Sequence, residues 1–88
     1  MNIVYKWNHN KREYEEVELP ESWNLPLFSN NMSEVINCVN CGSPIEYGNG
    51  YTSMRYHTKA GFGYYECEKC YQEYLPLAIA DKTKNPNN

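Results

Sequence analysis

Cys38-Val39-Asn40-Cys41 and Cys67-Glu68-Lys69-Cys70 are the two stretches whose reading decides the fold. They hold all four cysteines of an 88-residue chain. A two-residue spacer lets both sulfurs of a pair reach one centre from a tight turn, and two such pairs close a tetrahedral shell around one zinc ion. The interval between them, residues 42 to 66, is slightly longer than the usual zinc-ribbon spacing. Cys38, Cys41, Cys67 and Cys70 are therefore the expected ligands of one structural Zn²⁺. A redox site of the thioredoxin type needs one pair at a helix start within a βαβ pattern, which is missing here. A catalytic zinc keeps one position open for water, whereas four cysteines fill the shell. His9 and His57 are the only histidines, and neither has ligand spacing to a pair. With no nucleophile–base constellation in view, the chain reads as a protein without enzymatic activity.

The composition explains why a metal is needed. Leu, Ile, Val and Phe make up 15 of the 88 residues, under the roughly one-fifth level at which a chain struggles to form a core. Nine tyrosines and two tryptophans supply further burial, since aromatic rings bury large areas while leaving a polar tip wet. A core this small calls for a staple. No stretch approaches the ~18 apolar residues of a membrane span. The start of the chain lacks a secretory apolar region. The expected setting is therefore cytoplasmic and reducing, where thiolates hold metal rather than form disulfides.

Outward from the cysteines, the expected architecture is a small α+β protein, mostly β. Gly42 stands where a metal knuckle needs a residue tolerant of positive φ. Gly48-Asn49-Gly50 reads as a turn, Tyr51 to Lys59 as a strand, Ala60-Gly61 as a turn and Phe62 to Glu66 as the return strand. Residues 68 to 75 suit a short helix that Pro76 limits, with Leu77 to Asp81 able to add another turn. Near the other end, Ile3 to Leu19 reads as a β-hairpin turning at Asn8-His9-Asn10. Residues 20 to 32 are irregular, with Trp23, Leu27 and Phe28 as the expected anchors. Three regions result: an N-terminal hairpin and arm (1–35), a four-cysteine zinc module (36–81) and a polar tail (82–88) expected to be disordered.

A Cys-Val-Asn-Cys-Gly knuckle, a β-hairpin and Cys-Glu-Lys-Cys opening a helix together resemble the treble-clef zinc finger. The resemblance covers residues 36 to 75 and implies the same four ligands. A plain zinc ribbon is the near neighbour, distinguished by whether residues 68 to 75 are helical. The phrase Gly-Phe-Gly-Tyr-Tyr-Glu-Cys-Glu-Lys-Cys-Tyr, within an Asn-rich and Tyr-rich chain, also resembles small zinc proteins of phages infecting low-GC Gram-positive bacteria. More loosely, the paired cysteines resemble those of Gin-type anti-sigma factors. That likeness implies a modulator of a host nucleic-acid machine, either RNA polymerase with its sigma factor or a CRISPR-type nuclease.

Charge divides along the chain. Residues 1 to 36 carry three basic and six acidic side chains, while residues 37 to 88 carry five of each. This is not the basic footprint of a duplex-DNA binder. Glu13, Glu15, Glu16 and Glu18 form an acidic run that fits either a solvated edge strand or a contact for a basic protein surface. Trp23 and Phe28 are the candidate aromatic anchors of such a contact. A different reading uses Arg55, His57 and Lys59 on one strand face, joined by Tyr51 and Tyr64, to grip single-stranded nucleic acid. In that geometry Met54 and Tyr56 would face the core. The plain alternative is a solvated outer face. A third reading is a structural role, with homo-oligomers forming through an uncovered sheet edge.

Overall fold

The computed structural model of the protein describes residues 2 to 83. Strand β1 (Asn2–Asn8) pairs antiparallel with β2 (Glu13–Leu19), in register from Asn2 opposite Leu19 to Asn8 opposite Glu13. Asn8 builds the turn, its Oδ1 accepting the amides of Asn10 and Lys11 at 2.9 Å each. A short side chain that satisfies its own backbone in this way favours a turn over a continued strand. Arg12 closes the turn at φ 55°, and its amide donates to Asn8 O at 2.7 Å. The N-terminal hairpin is thus present as read.

It does not simply pack beside the rest of the protein. β1 also pairs with β5 (Tyr51–His57), and β5 with β6 (Gly63–Glu66), giving a four-stranded antiparallel sheet in the order β2-β1-β5-β6. β3 (Val35–Asn37) and β4 (Pro44–Glu46) form a small separate hairpin around the first cysteine pair. One 3₁₀ turn, Tyr47–Asn49, links β4 to β5.

β5 departs from simple alternation. Its pairing with β6 slips between Thr52 and His57. Within that slip Ser53 Oγ accepts the amides of Arg55 and Tyr56, at 3.1 and 2.9 Å. The serine hydroxyl competes with the ladder for those amides and kinks the strand. Ser53 and Tyr56 are consequently both buried, three positions apart. The single basic face expected from strict alternation is therefore broken.

The helix also differs from the sequence reading. α1 (Glu68–Thr83) runs straight through Pro76. It takes in two residues assigned to the tail, of which 84 to 88 lie outside the described residues. An interior proline costs about 3 kcal/mol, so contacts beyond it must outweigh the loss. Tyr71 stacks on Tyr51 at 4.7 Å, and Tyr74 and Ala78 are buried on either side of the proline. Past it, Asp81 accepts Trp7 Nε1 and Arg12 Nη1 at 3.1 Å each, with His9 Nδ1 at an ion-pair distance of 2.9 Å. His9 above all, then Trp7 and Arg12, hold the Asp81 carboxyl below the usual carboxylate range against its partial desolvation.

The core joins both halves. Val4, Val39 and Tyr56 form its centre, with Val17, Leu19, Leu25 and Tyr64 packed around them. Val39 is a spacer residue of the first cysteine pair, so the knuckle itself plugs the core. In the irregular segment, Leu25 packs on this core and Trp23 is half-buried, whereas Leu27 and Phe28 are exposed. Leu27 and Phe28 are thus not the anchors expected of them.

Candidate metal centre

The first pair of sulfurs comes from the turn between β3 and β4. Cys38 N donates to Ser43 O, and Gly42 N to Cys38 O, at 2.8 Å each. Asn37 Nδ2 ties the turn from outside by donating to Gly42 O at 2.8 Å. Gly42 sits at φ +79°, and its Cα faces the Trp23 indole so closely that an added Cβ would overlap the ring. Substituting Gly42→Ala therefore combines left-handed strain of about 1–2 kcal/mol with overpacking of roughly 1–3 kcal/mol. The variant is expected to bind zinc more weakly against a chelator and to melt earlier than the wild type. An unchanged melting midpoint would contradict this account of the knuckle.

The second pair comes from the end of β6 and the first turn of α1. Cys67 precedes the helix, its carbonyl accepting the Tyr71 amide at 3.0 Å, and Cys70 lies one turn in. Residues 68 to 75 are helical, so the element order around the site is knuckle, hairpin, helix.

The four Sγ atoms lie within 4.8 Å of one another, and those of Cys41 and Cys67 are 3.9 Å apart. A tetrahedron with Zn–S bonds of about 2.3 Å has edges of about 3.8 Å. The cluster is thus suited to one structural zinc ion. Burial pushes the Cys38 thiol up, opposed by amide hydrogen bonds from Cys41, Cys67 and Asn40. Burial likewise pushes Cys70 up to about 12. Cys41 is also raised by burial, but the hydroxyl and amide of Ser43, with Cys38 and Cys70, outweigh it and bring the thiol down to about 6. Cys41 is also the most exposed of the four.

Behind the sulfurs lies a hydrogen-bonded layer. Asn40 Nδ2 donates to Cys70 Sγ at 3.3 Å, and its Oδ1 accepts the Tyr56 hydroxyl at 2.8 Å. The Arg55 guanidinium lies 5.5 Å from the Tyr56 ring centroid and 4.6 Å from that of Tyr74. Arg55 Nε and Ser53 Oγ both donate to Glu66 Oε2 at 3.0 Å. The two ion-pair side chains are 14 % and 1 % exposed. Partners of this kind orient metal ligands and set their basicity. Sequence reasoning missed Ser53, Tyr56 and Glu66 in these roles. Only Asn40, a spacer of the cysteine pair, carried a signal.

The remaining candidates are scattered. Glu13, Glu16 and Glu18 are exposed on β2, an edge strand, and Glu15 meets Lys11 at 3.7 Å. Of the proposed nucleic-acid set, Arg55 is committed to Glu66, Tyr51 is stacked on Tyr71, and Tyr64 packs on the core. His57 meets the Tyr14 ring edge-on at 5.7 Å, and burial pushes its pKa down. Lys59 alone of the three basic residues is exposed. The structure does not gather them onto one free face.

Fold and site together define a small, mostly β, α+β protein stapled by a four-cysteine zinc site. No protein-family model matches the chain, and no curated protein or solved structure matches it either. Among the described residues no helix is long and apolar enough to cross a membrane.

Proposed function

We propose that the protein is a non-catalytic, zinc-stapled interaction module that acts by contacting another protein. One observation carries this reading. From Glu13 to Met54 the chain contains seven glutamates and no lysine or arginine, and four of those glutamates line the edge strand β2. Four thiolates around Zn²⁺ would add a further local charge of about −2. Such a surface complements a basic one, and complementary potentials chiefly speed and orient encounter. The surfaces that hold nucleic acid are the most familiar basic partners. With the sequence resemblance to small phage zinc proteins, this favours a modulator of a host RNA polymerase, its sigma factor or a CRISPR-type nuclease. The same negative surface disfavours duplex DNA as the ligand.

The test is a pull-down from a Gram-positive lysate with and without nuclease, followed by kinetics on the partner identified. Retention is expected to survive nuclease. Changing Glu13, Glu15, Glu16 and Glu18 together to Gln is expected to lower the association rate and flatten its salt dependence, with zinc content unchanged. An unaltered rate and salt slope would reduce the acidic strand to a solvated edge.

A further inference from the structure

The segment from Asn24 to Asn37 closes on itself and leaves four large apolar side chains exposed. Its two ends are bonded to each other, Asn37 N donating to Asn24 O at 2.9 Å and Asn24 N to Asn37 Oδ1 at 2.7 Å. Several of its polar side chains bond within the loop. Ser29, only 6 % exposed, donates to Glu34 Oε1 at 2.6 Å and accepts the Asn31 amide at 3.1 Å. Asn24 Nδ2 reaches both Glu34 Oε2 at 3.1 Å and Val35 O at 3.0 Å. Asn31 Oδ1 accepts the Ser33 amide at 3.0 Å. The loop is also fastened to the body. Met32 O and Glu34 O accept the amides of Gly48 and Tyr47, at 2.8 Å each, and Leu27 O accepts the Tyr65 hydroxyl at 3.1 Å.

Leu25 and Ile36 pack inward, but four other apolar side chains are left exposed. Phe28 is 76 % exposed, Val35 61 %, Met32 56 % and Leu27 42 %. A loop that ties itself shut with polar groups and leaves four large apolar side chains largely in water gains little from them in the isolated chain. A closed loop of this size on a small scaffold is a common carrier of function. Because its backbone is held at many points, little conformational entropy remains to be lost when it docks.

Charge selects the occupant. The loop lies wholly within the run from Glu13 to Met54 that lacks lysine and arginine. It contains Glu34 and runs into β3, where Val35 stands opposite Glu46. A second copy of this chain would bring the same negative surface against itself. A partner with an apolar cleft rimmed by lysine or arginine meets both features.

We propose that residues 24 to 37 form a preorganised docking loop whose Leu27, Phe28, Met32 and Val35 enter an apolar, basic-rimmed cleft of a partner protein. The proposal rests on the reading that the module acts by protein contact, and it moves the anchor from the acidic strand to this loop. Trp23, packed on the knuckle, is not part of it.

The probe is a synthetic amphipathic helix of leucine and lysine, titrated calorimetrically into the zinc-loaded full chain. A lysine and serine peptide and a leucine and glutamate peptide serve as controls. Only the leucine and lysine peptide is expected to bind with a negative heat-capacity change, the mark of apolar burial. The double substitution Phe28→Ser with Val35→Ser is expected to weaken it at least tenfold, with zinc content and melting midpoint retained. Should that variant lose its fold, the single change Phe28→Ser gives the same comparison at the most exposed position. Undiminished binding by the serine variants would overturn the proposal. So would equal binding of the lysine and serine peptide, or a concentration-dependent dimer that Phe28→Ser abolishes. Loss confined to the Gln variant of β2 would sink the loop while leaving the acidic-edge reading standing. Indifference of both variants would sink the two together.

Discussion

Stripping the metal with a chelator is expected to collapse the dispersed amide spectrum of residues 36 to 75 and to carry β1 and β2 with it. Structural zinc sites in small modules contribute roughly 10–16 kcal/mol in apparent terms. A whole domain is stable by only about 5–15 kcal/mol, so losing the ion removes more than the fold has to spare. The collapse should extend beyond the cysteines because Val39, held between two ligands, sits at the centre of the core with Val4 and Tyr56. Releasing the knuckle withdraws that plug from the main sheet. Zinc uptake should also release protons at neutral pH. Without metal, Cys38 is raised by burial and Cys70 lies at about 12, so both shed a proton to the ion, whereas Cys41, at about 6, is already charged. Affinity therefore rises with pH above neutrality and falls on acidification. A metal-free sample that keeps its amide dispersion would show that the aromatic core suffices alone.

The second large effect is expected at Arg55. Replacing it with Met keeps most of its stem but leaves the Glu66 carboxylate buried without a cation. Removing one partner of a buried pair typically costs about 3–5 kcal/mol, a large share of what so small a domain possesses. The pair also bridges β5 and β6 to Tyr74 on α1, so the loss should loosen the helix that carries Cys70. The melting midpoint of Arg55→Met is expected to fall sharply. The double variant with Glu66→Gln should recover most of the loss, since two neutral groups leave no stranded charge. If the single variant melts like the wild type, Glu66 is better solvated than its contacts indicate. Among the basic residues of the single-stranded nucleic-acid reading Lys59 is the exposed one, so Lys59→Ala tests that reading with the least disturbance to the fold.

The metal ligands, the N-terminal hairpin, the knuckle glycine and the hairpin between the cysteine pairs were legible because each is local. Paired cysteines declare their chemistry by spacing. Asn8 shapes its turn with its own side chain, and Gly42 supplies a backbone conformation that other residues resist. The helix start at Glu68 was legible for the same reason.

What was not legible depended on groups far apart in the chain. Pro76 reads as a terminator because the local cost is real. Only the burial of Tyr74 and Ala78, and the Asp81 contacts with β1 and the turn after it, show that the helix continues. The basic face of β5 was read from a period of two, which the Ser53 hydroxyl breaks by taking two ladder amides. Arg55 looked like a solvent-facing cation until Glu66, eleven residues later, appeared beside it. Phe28 and Leu27 looked like anchors because apolar side chains usually turn inward. Here the inside of their loop holds the buried Ser29, bonded to Glu34. The sequence by itself determined the four-cysteine cluster suited to one zinc ion, the N-terminal hairpin, the hairpin between the cysteine pairs and the helix start, since these follow from spacing and backbone preference. The tertiary structure alone decided which polar groups are buried, that the helix continues past Pro76 and which apolar side chains face water. Those outcomes are set by partners that only folding brings together.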